Sequence, residues 1–356
     1  MATGIDEMLG FNPQDLDIFQ KQTTTNTNQN VYKTNPVTLS KTDDGHYHSK
    51  VKIIYNPFNM KQSIVHSATY AMNDENGFFM VDSKLGLNDK SCPIFTAWKK
   101  LWFANDADPA KKEAKKEWAK KIFDKNESNW VLVQILEDEN QPELVGQFKV
   151  WKLPKTIYEK LDAKMNPSPE SKKAPQPIMD YVFGPALEID VTPGPDDPKA
   201  PERKQREISY SLCDFEPDAT PIIKVDGTPL YEDSEMEIIE EYISLRNSYN
   251  KAKTEKAKAE KQAEIDKMKD QVRQLWSKAI DYAKTNALNL VDECGYHPWD
   301  EATTARVNAW IEKVLRMEDP TIPTATEVPV DEPVTDTSKP QPDSTETPDP
   351  GDDLPF

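Results

Sequence analysis

At 356 residues the chain is long enough to bury a sizeable core, but 30% charged side chains and 29 prolines mean that at least one end does not join it. The formal net charge of −18 does not exclude a nucleic-acid partner. Residues 319–356 carry ten acids against the single lysine Lys339, and residues 1–30 carry four acids against one lysine, which leaves the middle close to neutral and free to carry a basic groove. No run approaches the roughly 20 apolar residues of a membrane helix, and no basic-then-apolar leader opens the chain. Cys92, Cys213 and Cys294 lack a Cys-x-x-Cys pairing and suit free thiols in a reducing cytoplasm.

In chain order, residues 1–30 form an arm, with Ile5, Met8, Leu9, Phe11, Leu16, Ile18 and Phe19 amid acids, followed by a polar linker of Thr, Asn and Gln. It is either a partner-docking peptide or a strapped-down arm. Residues 31–232 read as a mixed core. Alternation predicts strands over Lys50–Tyr55, Ile64–Met72 and Gly77–Val81. A helical stretch, Ile94–Phe123, carries a breaker at Pro109. Trp130–Glu137 and Leu144–Leu153 read as an antiparallel pair, then a helix over Lys155–Met165 and paired segments Ala186–Val191 and Glu207–Cys213. Short strands with a helical insertion suggest an α+β chain built on a β-barrel of OB type, although periodicity alone does not separate it from other α+β folds.

Residues 233–318 are helical. Ser234 is the expected cap, and Met236, Ile239, Tyr242, Leu245 and Tyr249 follow at helical spacing, as do Ile265, Met268, Val272 and Leu275. Such a stripe either packs on the body or projects as an arm. Asp300 is placed to cap a last helix ending near Met317. Residues 319–356 are Pro, Thr, Ser, Asp and Glu, a composition that cannot offset its ordering entropy and is expected to be disordered.

Two constellations bear on function. The chain closes on Asp352, Asp353, Leu354, Pro355 and Phe356. A solubilising tail gains nothing from a terminal phenylalanine, whereas a ligand does, with Phe356 filling a pocket and the carboxylates meeting a basic rim. The second lies in residues 98–158, where lysines including Lys111, Lys112, Lys115 and Lys116 interleave with Trp98, Trp102, Phe103, Trp118 and Phe123, and Trp130 and Trp151 follow. Cations that track phosphates and rings that stack bases are what sequence-independent single-strand binding needs. Trp118 and Phe123 have core spacing. Trp151, between Lys149 and Lys152 in an alternating strand, reads toward the groove.

The tip resembles that of bacterial single-stranded DNA-binding proteins, which docks on replication and repair enzymes. Ser91-Cys92-Pro93-Ile94 opening a helix, Asn129-Trp130 leading a strand, and Gly146–Leu153 running into Ile157-Tyr158-Glu-Lys-Leu161 resemble T-even-type phage replication single-stranded DNA-binding proteins over about 90–215. That resemblance implies an OB-fold core with an aromatic and basic cleft that Trp130 faces, and Trp151 and Phe215 with it. The family's zinc site is not reproduced. Its Cys-x-x-Cys is here Cys92-Pro-Ile-Phe95, and His66 with Cys92 does not close a site. No metal or other cofactor is expected, with Phe78, Phe79, Phe95 and Trp98 holding the insertion. His46, His48, Cys294 and His297 read as loop and core residues. The acidic N-terminus departs from the family's basic one.

No phosphate loop, Gly-x-Ser-x-Gly or His-Glu-x-x-His occurs, so no catalytic residues are assigned. The expectation is a non-enzymatic protein of phage DNA replication, recombination and repair in the cytoplasm of an infected bacterium. It coats single-stranded DNA and recruits a helicase, polymerase or nuclease by its tail. The alternatives are a scaffold protein using helices and termini without a DNA site, and a metal-dependent enzyme of DNA metabolism.

Overall fold

In the computed structural model, which describes residues 47–171, 174–193 and 208–323, the alternating segments become strands β1 (Tyr47–Ile54), β2 (Ile64–Asp74), β3 (Gly77–Ser83), β4 (Asp124–Asp138), β5 (Phe148–Leu153), β6 (Pro185–Pro193) and β7 (Ile208–Ala219). The helices are α1 (Pro93–Trp102), α2 (Pro109–Ile122), α3 (Lys155–Met165), α4 (Asp233–Lys251), α5 (Glu255–Asn286), α6 (Leu290–Cys294) and α7 (Glu301–Leu315). The expected N-terminal arm, His46 and the tail with its tip lie outside the described residues.

Register fixes the topology. Val131 of β4 faces Ile64 of β2 and Trp151 of β5, while the next residue, Leu132, faces Ile54 of β1 and Val150 of β5. A strand has only two edges, so β1 and β2 must lie end to end along one edge of β4, with β5 along the other. From there β3 extends the β2 side, and β6 then β7 extend the β1 side, every pairing antiparallel. Among the described residues no pairing joins β3 to β7. The chain is therefore α+β with an open seven-stranded antiparallel sheet, not a closed barrel.

Two cores follow from this split. The larger packs β1, the C-terminal half of β4, β5, β6 and β7 against α3, α4 and α5, with Leu132, Ile135, Leu187, Tyr242, Val272 and Leu275 buried. The smaller packs Tyr70, Met72 and Val81 of β2 and β3 against Ile94, Leu101 and Ala119 of α1 and α2 and Val307, Trp310 and Val314 of α7. The stripes of α4 and α5 thus pack on the body, and the described residues up to Thr321 belong to one compact unit. The start of α4 differs from expectation. The carboxylate of Glu235 accepts from the main-chain N of Glu232 at 2.9 Å, which closes the first turn, and Ser234 lies inside it. Asp300 caps α7 as expected, accepting from Thr303 N at 2.7 Å.

A buried polar knot ties the larger core. The Lys52 ammonium of β1 donates to the Gly184 carbonyl, and Asp180 accepts from Val182 N and Phe183 N, each at 2.8 Å, and from Trp276 Nε1 of α5 at 3.2 Å. Among the described residues no helix is long and apolar enough to cross a membrane.

Candidate nucleic-acid interface

The basic, aromatic stretch becomes a surface of α1 and α2. Helix α1 buries Ile94, Ala97 and Leu101, so Phe95, Trp98 and Trp102 run along the flank of that face and pack against it only in part. Their rings stack in sequence: Phe95 on Trp98 and Trp98 on Trp102, with centroids 5.4 Å apart in both cases and interplanar angles of 14° and 23°. Phe103, 69% exposed, meets Trp98 edge-on at 6.0 Å. Lysines frame the ladder, with Lys99 Nζ 5.0 Å from the Phe95 centroid and Lys120 Nζ 6.0 Å from that of Trp102, distances at which ammonium and ring attract.

Helix α2 starts where Asp108 accepts from Ala110 N at 2.9 Å, with Pro109 in its first turn. Residues 93–122 carry eight lysines and four acids, reversing the sign of the chain as a whole. Lys115 is held by Asp106 at 2.7 Å and Lys116 lies 3.8 Å from Glu113. Lys111 and Lys112 are exposed and no acidic side chain among the described residues pairs with them. Trp118 turns inward as its spacing predicts, donating from Nε1 to the Val314 carbonyl at 3.0 Å.

A second surface is the polar face of the sheet where β3, β2, the N-terminal half of β4 and β5 lie side by side. Thr69 pairs with Asn126, Ser67 with Ser128, and Trp130 with Lys152, so period-two alternation puts these side chains on one face. Glu293, Cys294 and Gly295 at the end of α6 lean over it, enclosing a cavity of about 50 Å3. Trp130 is 8% exposed and donates from Nε1 to Ser67 Oγ at 2.8 Å. Burial depresses the pKa of Lys152.

The sequence-selected residues thus fall into separate groups. Trp102, Lys111, Lys112, Lys115 and Lys116 share the α1–α2 surface, and Trp130 and Lys152 share the polar sheet face. Two expectations give way to the core. Trp151 is 3% exposed, because its partner Val131 sits on the fully buried face of β4. Phe215 is 6% exposed, with Lys164 Nζ 5.5 Å from its ring. Lys149, paired with Val133, lies on the Trp151 side of β5 and away from Lys152. Asp352, Asp353, Leu354, Pro355 and Phe356 fall outside the described residues.

Sequence reasoning set Trp98, Trp102 and Phe103 among the lysines but missed Phe95 as the ring that extends their ladder. It assigned Phe95 and Trp98 to holding the insertion together, along with Phe78, which is 58% exposed, and Phe79, which stacks under the Arg306 guanidinium at 3.8 Å. It also began β4 at Trp130, although the polar alternation of Asn126 and Ser128 just before it was legible. Among the described residues no three His, Cys, Asp or Glu side chains group to hold a metal. Cys92 accepts from Ser83 Oγ at 3.3 Å and His66 Nδ1 lies 3.1 Å from Asn129 Oδ1. No protein-family model matches the chain, and no curated protein matches it.

Proposed function

We propose that this protein binds single-stranded DNA without sequence preference across the α1–α2 surface and recruits replication, recombination or repair enzymes through its acidic C-terminal tail. The observation that carries the reading is the partly buried stack of Phe95, Trp98 and Trp102 beside the open ring of Phe103, set among lysines of which Lys99, Lys100, Lys111 and Lys112 have no acidic partner among the described residues. Every base has a π-face, so such a platform accepts any sequence, and each stacked base contributes roughly 1–3 kcal/mol. Lysines along the same surface meet the phosphates and release counterions.

The reading includes the finer features that the resemblance suggests. They are an OB-type core diverged to an open sheet, no catalytic role, and a place in phage replication within the host cytoplasm, with a helicase, polymerase or nuclease on the tail. The test is a titration of the full-length protein with oligothymidine, followed by tryptophan fluorescence at two salt concentrations. Saturable quenching that weakens with salt supports the reading. Absence of binding at low salt overturns it.

A further inference from the structure

The polar sheet face contains donors that the fold leaves unused. Asn126 is 6% exposed, yet its Nδ2 has no hydrogen-bond partner among the described residues. A buried amide donor in that state costs stability unless something enters to accept from it. Lys152, on the neighbouring strand and the same face, lines the same cavity. No carboxylate among the described residues lies within ion-pair distance of it. Thr69 and Ser128, each carrying a hydroxyl, complete the lining on that side.

Two carboxylates also reach the cavity, and they differ. Asp82 is occupied, accepting from His297 main-chain N at 3.1 Å with its Oδ2 2.8 Å from His297 Nδ1. Glu293 is partly exposed at the end of α6, and no hydrogen bond or ion pair among the described residues engages its carboxylate. The space, about 50 Å3, holds about four waters at 10–15 Å3 each. That suits a five-atom tetrahedral anion and is too small for a base. Water alone would satisfy Asn126, whereas burial disfavours the charged form of Lys152 and an anion beside it would favour that form again.

We propose that the cavity beneath Gly295 is an oxyanion site that takes one phosphate group, with Lys152 Nζ, Asn126 Nδ2 and the Thr69 and Ser128 hydroxyls as donors and Glu293 as a repelling gate at its mouth. The inference rests on the single-strand reading only for the source of that phosphate. It is either a phosphodiester of a strand continuing past Trp130 or a free phosphate.

The experiment is a calorimetric titration of the full-length protein with inorganic phosphate, and in parallel with oligothymidine, at fixed ionic strength set by chloride. Asn126→Asp, Lys152→Gln and Glu293→Gln are compared with wild type after circular dichroism shows each to be folded. Phosphate should bind wild type saturably, N126D and K152Q should weaken it at least tenfold, and E293Q, at a partly exposed position, should tighten it severalfold. The same pattern seen with oligothymidine but not with inorganic phosphate identifies the phosphodiester as the source and supports the site. Phosphate binding with no oligothymidine binding supports the site and sinks the single-strand reading. Oligothymidine bound alike by wild type and all three variants, with no uptake of phosphate by wild type, overturns the site and leaves the α1–α2 surface untouched.

Discussion

The ammonium of Lys52 is enclosed within the larger core and donates to the main-chain carbonyl of Gly184 at 2.5 Å. Burial pushes its pKa from 10.5 down to about 7, against the partial support of Asp180 and Glu216. The unfolded chain keeps that proton to about pH 10.5, whereas the folded chain releases it near pH 7, so unfolding takes up a proton between the two values. The contribution of this group to stability is therefore lowest and flat below pH 7 and rises toward pH 10.5, by at most about 1.4 kcal/mol per pH unit. Lys52→Met should remove that slope. Denaturant unfolding of both proteins at pH 7, 8 and 9.5 checks it, because titrations common to the two cancel. Parallel profiles would refute the assignment.

The same knot makes Gly184 intolerant of a side chain. A Cβ there would lie 2.3 Å from the Ile178 carbonyl and 2.7 Å from that of Asp180, and both are backbone atoms of the turn that carries the buried carboxylate. Gly184→Ala should cost several kcal/mol, in the range of overpacked cores. Trp276→Phe leaves Asp180 its two main-chain donors and should cost about 1–3 kcal/mol. Equilibrium unfolding ranks the two. A Gly184→Ala protein as stable as wild type would show that the turn repacks freely.

On the α1–α2 surface, Trp102→Ala and Phe103→Ala should each weaken oligothymidine binding by about 1–3 kcal/mol with little change in salt dependence. Lys111→Ala combined with Lys112→Ala should weaken it and also flatten the salt slope by nearly two charges' worth. Trp151→Ala serves as the contrast. Its ring is core, so the loss is one of stability, about 3–5 kcal/mol, with affinity per folded molecule unchanged. Trp151→Ala selectively abolishing binding in a folded protein would return that residue to the interface.

The contrast between Trp151 and Trp130 shows where the sequence stops being legible. Strand existence follows from alternation, and Lys155–Met165 is a helix with the bounds its pattern predicts. Orientation does not follow. From Ser128 to Leu136 every residue of β4 is buried, because the sheet is covered on both faces there. Parity then carries no inside or outside information for β4 or its partner β5. Lys149 and Lys152 around Trp151 suggested a wet face, yet the two lysines stand on opposite faces of β5. Lys52 misleads in the same way, as a polar residue in an alternating strand whose partners on both sides are interior. The cavity at Asn126 draws on alternate residues of β2, β3 and β4, on Lys152 of β5 and on residues 293–295, a convergence that only strand register reveals. The α1 ladder was legible in its composition and in the part of Trp98, Trp102 and Phe103, but not in its membership or geometry, since i, i+3, i+7 aromatics suit a core stripe equally well and Phe95 was read that way.

Half of the chain's net negative charge lies in residues 319–356, almost wholly beyond the described residues. Residues 319–356 carry ten acids against one lysine, and a covalent tether gives such a polyanion a higher effective concentration toward the lysines of α1 and α2 than free polyanion would have. It should compete with DNA phosphates for them, most strongly where screening is weakest. Deleting residues 319–356 is expected to tighten oligothymidine binding at low salt, with the advantage shrinking as salt rises. Deleting only Leu354-Pro355-Phe356 removes little charge and should leave DNA affinity alone while abolishing capture of replication or repair enzymes. Titrations of the three proteins at low and moderate salt separate the two roles. Equal affinity of full-length and truncated protein at every salt concentration would rule out the competition.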